Sequence, residues 1–589
     1  MAGYIPPIDD VTFLLGEVFD FDAAMMDIPR WKDIDTTLAT SILEQGGKFC
    51  AEVLEPLNRP ADEAGCRLED GLVSTPAGIA EAYKAFVDAG WAGLSGDAAY
   101  GGQGLPRVLQ ILLDEMISSA NLSFGLFPGL TRGAVEAIGH HASDELKAIY
   151  LPKMISGEWT GAMALTESSA GTDLGLLSTR AEPVGDGSYA LTGTKIFISS
   201  GDHDFGGNII HLVLARLPGA PNGVKGISLF LSPKFLVNAD GSLGARNGVT
   251  VGSLEHKMGI HAQPTCVMNY DTATGWLVGE PGRGLNAMFT MMNAERLFVG
   301  IQGLAIGEAS NQKAVAYARE RLQGRSADGA RAPVPIIEHA DVRKMLMTGR
   351  ALTEAGRALA VWTALQMDAA ENHPDADRRR EADGFVALMT PVIKAAFTDL
   401  GFEIAVTSQQ VFGGHGYIRE WGMEQYVRDA RITQIYEGTN GVQAMDLVAR
   451  KLPMENGALI NRFFALISRD LEAAAGAVEL NETINAVSDA LARLKDLTAY
   501  VLQLATNSEE AGAAATDYLR SLALVTYGWV WVKMAAKATA TANATPALTR
   551  RKTALARFFV SRLLPQTVAL DLAIRTGAAD VVALETDLL

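Results

Sequence analysis

The strongest constraint in this sequence is a change of local pattern. Between Gly161 and Gly279 come short runs rich in β-formers, at 189–198, 209–217, 227–231, 249–254 and 265–270, separated by turn residues. Asp186-Gly187, just ahead of the first run, is a hairpin-turn signal. Helical spacing lies on both sides of this block. Leu109, Leu112, Leu113 and Met116 recur at helical intervals, and the glycine-rich stretch 90–106 reads as a loop between helices. Helical periodicity returns at Leu285 and runs to Leu452, broken by a Gly/Pro/Ala-rich segment at 325–335 that reads as an exposed loop. Further on, Ile484, Val487, Leu491, Leu494, Leu497, Val501 and Leu504 advance by three or four, one apolar stripe on a long helix. The expected fold is therefore α+β and multidomain: an N-terminal helical domain (1–160), a middle β domain (161–282), a C-terminal helical bundle (283–452) and an additional helical extension (453–589).

Charge narrows the function classes. Fifty basic against 68 acidic side chains leave −18 over 589 residues, which argues against a general nucleic-acid binder. Local basic spots remain free to receive an anionic cofactor. No uncharged apolar run reaches the ~18 residues of a membrane span; the longest, 116–131, is broken by Asn121 and Pro128. The first residues show neither the basic nor the apolar region of a secretory signal. Cys50, Cys66 and Cys266 are odd in number and far apart, as expected of reduced thiols in a cytoplasmic enzyme. The nine histidines show no metal-ligand spacing, so no metal is expected; His256 and His261 read as decoration of the β block.

Four segments carry possible chemistry. Ala164-Leu165-Thr166-Glu167-Ser168-Ser169-Ala170-Gly171-Thr172-Asp173 ends a strand in a Gly/Ser/Thr loop, suited to a polar ring or phosphate or simply a hairpin. Lys195-Ile196-Phe197-Ile198-Ser199 sets an aromatic beside a hydroxyl, a pattern that also serves plain core. Gln410-Val411-Phe412-Gly413-Gly414-His415-Gly416-Tyr417 permits close approach of backbone to a ligand, or a helix C-cap and turn. In Gln434-Ile435-Tyr436-Glu437-Gly438-Thr439-Asn440 a carboxylate sits between an apolar pair and a Gly-Thr turn. Partly withdrawn from water, such a group becomes a competent base; the alternative is a helix N-terminal charge favoured by the macrodipole.

In this order, on a helix–β–helix frame, the four segments resemble the acyl-CoA dehydrogenase family over roughly residues 40 to 450. Tyr100-Gly101-Gly102-Gln103-Gly104, Leu151-Pro152-Lys153-Met154, Gly157-Glu158-Trp159 and Glu295-Arg296 add to the match. The resemblance implies a C-terminal four-helix bundle and FAD as cofactor. Met163, Leu165, Thr166, Gly171 and Thr172 would contact the flavin ring, flanked by Phe197, Ile198 and Ser199. Arg321 would reach the pyrophosphate of a neighbouring subunit's FAD, Gln410, Val411, Gly413 and Gly414 the adenosine part, while Thr439, Asn440 and Gly441 complete the flavin site. Thr172, Arg296 and Gly438 would contact the acyl-CoA substrate.

The implied reaction is α,β-dehydrogenation of an acyl-CoA thioester. Glu437 removes the α proton as a hydride leaves the β carbon for flavin N5, and electron-transfer flavoprotein is the implied acceptor of the electrons. Leu322-Gln323-Gly324-Arg325 departs from the Phe-Gly usual after the pyrophosphate arginine. Some relatives carry the base at the position of Glu295; here Tyr-Glu-Gly-Thr is intact at 436–439 and Glu437 takes that role. The long extension and the run 439–447 resemble a subgroup of 3-methylmercaptopropionyl-CoA dehydrogenases of dimethylsulfoniopropionate degradation, alongside broad-range fatty acyl-CoA dehydrogenases. An acyl-CoA oxidase would share these motifs, and a non-catalytic acyl-CoA-binding scaffold is the reading of another class. A homo-oligomer is expected, with a dimer favoured because the extension would cover the contact through which shorter relatives form tetramers.

Overall fold

The computed structural model describes residues 3–325, 332–541 and 544–588. Two compact units emerge, each discontinuous in sequence. One comprises Met1–Lys48, Arg107–Ser119 and Val299–Leu589; the other Phe49–Pro106 and Ala120–Phe298. The stretch 1–160 is thus shared between the units, and the extension lies within the same unit as the C-terminal bundle. Most of the loop expected at 325–335 falls on 326–331, outside the described residues.

The second unit is built on a seven-stranded sheet. From one edge its order is Val249–Leu254, Thr265–Val278, Tyr189–Ser199, Arg180–Pro183, Asn208–Arg216, Trp159–Ala164. Ile227–Pro233 pairs with both Thr265–Val278 and Asn208–Arg216 and bends the sheet back on itself. Trp159–Ala164 and Asn208–Arg216 run parallel, with Met163 opposite Leu212. The strand expected at 265–270 continues to Val278, and Arg180–Pro183 adds a strand that the composition did not mark. Asp186-Gly187 sits in the turn between Arg180–Pro183 and Tyr189–Ser199, closed by the Val184 N–H donating to the Ser188 carbonyl. A second hairpin, Arg67–Glu69 with Leu72–Ser74, interrupts the N-terminal helices.

Why the 209–217 run, apolar but for His211 and Arg216, shows no polar alternation becomes clear from the two cores. Ile210, Leu212 and Leu214 pack on one side with Ala134, Ile138, Leu151 and Met154. Ile209, Val213 and Ala215 pack on the other with Ala162, Leu191, Phe230 and Met268. A strand covered on both faces has no polar alternation to show.

In the first unit, long helices do the work: Gly284–Glu320 (from Val299), Ala340–Asn372 and Ala376–Val411, joined by Asn481–Leu504, Ser508–Ala540 and Pro546–Arg562 of the extension. Ala376–Val411 is long and apolar enough to cross a membrane, but 78% of its apolar window is buried inside the protein, as for a core helix. The stripe from Ile484 to Val501 is buried and Leu504 is half-buried. Trp529 and Trp531 are wholly buried; their indole N–H groups donate to Asp470 Oδ2 (2.9 Å) and the Ala351 carbonyl (3.0 Å). The extension therefore buries this stripe and both tryptophans, while Leu572, Val581 and Leu588 towards its end stay exposed.

Between the helices lies a group of buried charges. Arg357, 1% exposed, donates to Glu115 (2.6 and 2.9 Å), Asp10 (2.7 Å) and Glu308 (2.9 Å). Lys552 of the extension, 0% exposed, donates to Glu354 (2.8 Å) and Asp10 (2.5 Å). Burial alone would raise the Asp10 carboxyl, but Lys552 and then Arg357 hold it well below the usual carboxylate range. For Glu115 burial prevails and its carboxyl is raised, Arg357 notwithstanding. Removing one member of such a group strands its partners' charge in a poor solvent. Lys552→Met is accordingly expected to lower unfolding stability by about 3–5 kcal/mol. Urea denaturation of the purified chain checks this, and a midpoint like that of the parent would contradict it.

Candidate active site

The residues singled out in the sequence fall in both units, and each set is described within its own unit. In the sheet unit, Trp159–Ala164 delivers a loop in which Met163 and Leu165 are buried, Thr166 is half-buried, and Gly171 and Thr172 are exposed. Sequence reasoning gave no role to the two residues that hold this loop in place. Glu167, 4% exposed, accepts from the Lys195 ammonium (2.8 Å), from Thr179 N (3.0 Å) and Oγ1 (2.6 Å), and from Ser178 N and Oγ (both 2.7 Å). Lys195, wholly buried, also donates to the Leu165 carbonyl at 2.9 Å. Both residues stood in the quoted segments, but only their contact shows that one pins the other. Burial would raise the Glu167 carboxyl; Lys195 and the hydroxyl donors outweigh it and bring it to about 2. Burial draws the Lys195 ammonium down to about 8, against the pull of Glu167.

Phe197 lies in the left-handed region, φ 61°, and is 59% exposed. The cause is a break in register. Tyr189–Ser199 pairs Ile198 with Cys266 and then Lys195 with Met268, so Ile196 and Phe197 together oppose a single residue. A bulge of this kind re-aims a side chain. It throws the ring outward while Ile198 stays in the core and Ser199 is half-buried. Left-handed backbone costs a bulky residue about 1–2 kcal/mol, so the pairing on both sides must hold it. Arg296 is half-buried, with Nη1 donating to Asn293 Oδ1 (3.3 Å) and the guanidinium 5.9 Å from the Phe289 ring centre. Glu295 is buried against Gly133, whose added Cβ would meet its Oε1 at 2.7 Å.

In the helical unit, Ala376–Val411 ends as the helix-cap reading anticipates, and Gly413 turns the chain with φ 58°. Val411 is buried, Gln410 is exposed, and Gly413 and Gly414 are exposed with nothing within 4 Å of an added Cβ. The turn is braced by stacking of Phe412 on Tyr317 (4.1 Å) and His415 on Trp421 (4.2 Å), with a Tyr317 hydroxyl–His415 Nδ1 hydrogen bond of 2.9 Å. Exposed Arg321 stands where the chain pairs briefly with 334–336: Ile336 N donates to the Arg321 carbonyl (2.8 Å) and Gln323 N to that of Val334 (3.0 Å).

Glu437 lies in the bend between Met423–Thr433 and Asn440–Asp446. It precedes the Thr439 cap, so it is not a first-turn helix charge, and it is half-buried with φ 57°. Gly438 follows with φ 84°. Asn440, expected in the flavin site, directs its side chain onto Ala376–Val411: Lys394 Nζ donates to its Oδ1 (2.8 Å), and its Nδ2 donates to Thr398 Oγ1 (2.9 Å) and Asp399 Oδ1 (2.7 Å). Gln434 Nε2 donates to the same Asp399 oxygen (2.6 Å), and the Tyr436 hydroxyl donates to Gln302 Oε1. Thr439 Oγ1 accepts from Val442 N at 3.3 Å, and Gly441 is exposed. The contacts on either side of the bend hold the backbone that carries Glu437.

The comparisons with known proteins place this chain among the acyl-CoA oxidoreductases. Family models match along the chain: acyl-CoA dehydrogenase N-terminal domain at 39–158, middle domain at 162–273, C-terminal domain at 282–452, and acetyl-CoA dehydrogenase C-terminal like at 460–585. The chain belongs to the acyl-CoA dehydrogenase family. It is 46% identical over 466 residues, 79% of each chain, to a 3-methylmercaptopropionyl-CoA dehydrogenase of Ruegeria pomeroyi. It is 32% identical to a broad-specificity linear acyl-CoA dehydrogenase of Mycobacterium tuberculosis, over 99% of each. A Bacillus anthracis acyl-CoA dehydrogenase complexed with FAD has the same fold, with TM-score 0.75, 20% identity and coverage of 92% of this chain and 88% of that one.

The Glu167–Lys195 pair yields a test. Glu167→Gln leaves the Lys195 ammonium buried without its carboxylate, and stability should fall by about 3–5 kcal/mol. The folded-state Glu167 carboxyl titrates below its unfolded value, so its contribution is complete above pH ~4.5 and is lost as pH falls towards about 2. Thermal melts across that range should show the difference between parent and variant shrinking with acid. A difference independent of pH would refute the assignment.

Proposed function

We propose that the protein is an FAD-dependent dehydrogenase that removes the α proton of an acyl-CoA thioester with Glu437. The observation that carries this reading is the half-buried Glu437 carboxylate on a left-handed bend stapled through Asn440 and Tyr436. The groups of the sheet unit fit a flavin, whose ring is flat and apolar on its faces and polar at its rim. Phe197 offers an outward aromatic surface, and Thr166, Thr172 and Ser199 carry hydroxyls at accessible positions. Met163, Leu165, Gly171 and Ile198 would hold the ring as well. Arg321 would meet a pyrophosphate, with Gln410, Val411, Gly413 and Gly414 at the adenosine part and Thr439, Asn440 and Gly441 beside the flavin. When bound, FAD supplies the acceptor for the hydride. Glu437 takes the α proton; Arg296 and Thr172 bind the CoA-bearing substrate, and the peptide N–H of the bend is available to the thioester oxygen.

For the substrate we favour 3-(methylthio)propanoyl-CoA, giving 3-(methylthio)acryloyl-CoA in dimethylsulfoniopropionate degradation. The 46% identity to the Ruegeria relative supports this. Linear fatty acyl-CoA is the second reading, supported by the end-to-end match with the mycobacterial enzyme. Electron-transfer flavoprotein as acceptor, a homodimer and a cytoplasmic setting complete the proposal. A substrate panel on the FAD-loaded protein with an artificial electron acceptor decides between the substrates: faster turnover of butanoyl-CoA or longer chains than of the thioether substrate would reverse the preference. Peroxide formed in air at a comparable rate would mark an oxidase, and a tetramer mass by light scattering would refute the dimer.

The base has its own test. Glu437→Gln keeps the shape but cannot accept the proton, and kcat should fall by about 100- to 10,000-fold with acyl-CoA binding retained. Glu295→Gln, by contrast, should lose far less. Stopped-flow bleaching of the flavin absorbance on mixing with substrate measures both, and the reverse order would move the base to Glu295.

A further inference from the structure

Glu437 and Gly438 are consecutive residues with positive φ, 57° and 84°. Glycine adopts that region freely, whereas glutamate does so at a cost that its surroundings must offset. Asn440 and Tyr436 secure the flanks of the bend; Gln443 reaches residue 437 itself. Its side chain is wholly buried in Asn440–Asp446, and Nε2 donates to the Glu437 carbonyl oxygen at 3.1 Å. The same nitrogen lies 2.8 Å from where a Cβ on Gly438 would stand, so the amide fills the space that the glycine leaves. Gln443 Oε1, buried as well, has no hydrogen-bond partner among the described residues. A buried amide with an unsatisfied acceptor is unfavourable, and a methionine or leucine would fill the volume without that penalty. What the amide supplies, and they do not, is the donor to Glu437.

We propose that Gln443 is a positioning residue for the reaction: its amide fixes the carbonyl of Glu437, and with it the left-handed conformation that aims the carboxylate. The inference rests on the reading of Glu437 as the base. Gln443 acts through Glu437 and takes no part in the proton transfer. Without the donor, the peptide can relax towards ordinary negative φ and swing the carboxylate away from its working direction. Misplacement of a reacting group by about 1 Å is enough to cost on the order of 100-fold in rate.

The test uses the full-length, FAD-loaded protein and three variants measured together. Gln443→Met keeps the length and volume but has no donor; kcat should fall about 10- to 100-fold, with KM within about twofold and flavin absorbance and melting temperature close to the parent. Gln443→Glu separates positioning from packing. Protonated, the introduced carboxyl donates an O–H to the Glu437 carbonyl; ionised, it faces that oxygen with a like partial charge. Burial raises its titration towards neutrality. The ratio of kcat for Gln443→Glu to that for Gln443→Met should therefore rise as pH is lowered. A flat ratio, or Gln443→Met turning over like the parent while Glu437→Gln is inactive, overturns this inference alone. Turnover retained in Glu437→Gln overturns the base assignment and this inference with it.

Discussion

The helical unit depends on a group of charges that cannot be left in its interior singly. Asp10, Glu115, Glu308, Glu354, Arg357 and Lys552 come from five helices, of which Pro546–Arg562 lies more than 500 residues along the chain from Ile8–Phe13. Desolvating any one of them alone would cost several kcal/mol, roughly a whole domain's margin of stability. The helix register in which these ions are matched is therefore favoured over those in which one is left alone. An apolar cluster would tolerate slippage by a turn; matched ions do not. Such a group confers uniqueness more than net stability, because its Coulombic gain is set against the water that each ion has given up.

The same logic recurs on a smaller scale beneath the loop at 165–172. Glu167 and Lys195 are buried together, and their five further hydrogen bonds turn a Gly/Ser/Thr loop, flexible by composition, into a fixed surface. The backbone also carries strain at two residues singled out in the sequence. Phe197 and Glu437, both named from the sequence, are non-glycine residues with positive φ. At the first, a bulge in register supplies the restraint; at the second, side-chain amides and a tyrosine hydroxyl do. Strain persists because the surroundings over-determine it, and its price is met by the folded scaffold.

Membership of the family and preference for a substrate rest on different kinds of evidence. Long ordered motifs with four consecutive domain models define the first. The second turns on the side chains that line an acyl pocket, where one methylene or thioether sulfur changes binding by only about 1–3 kcal/mol. Relatives at 46% and 32% identity can differ in such positions.

The sequence by itself determined the succession of helices, sheet and helices, the apolar stripe of the extension, the hairpin at Asp186-Gly187, and the segments in which Phe197, Glu437 and the glycine turn at 413–414 reside. Each is a local signal: period, turn chemistry, or the spacing of a few neighbours. Tertiary structure alone decided that Glu167 pins Lys195, that Arg357 gathers carboxylates from three other helices, that a bulge turns Phe197 outward, and that Gln443 reaches back to Glu437. It also carried Thr265–Val278 well past the β-former run that marked its start, because pairing with Ile227–Pro233 supports a stretch whose composition is neutral. Such contacts join residues whose separation along the chain carries no information about their distance in space. A buried charge or amide declares its partner only once packing has removed the water that would otherwise serve in its place.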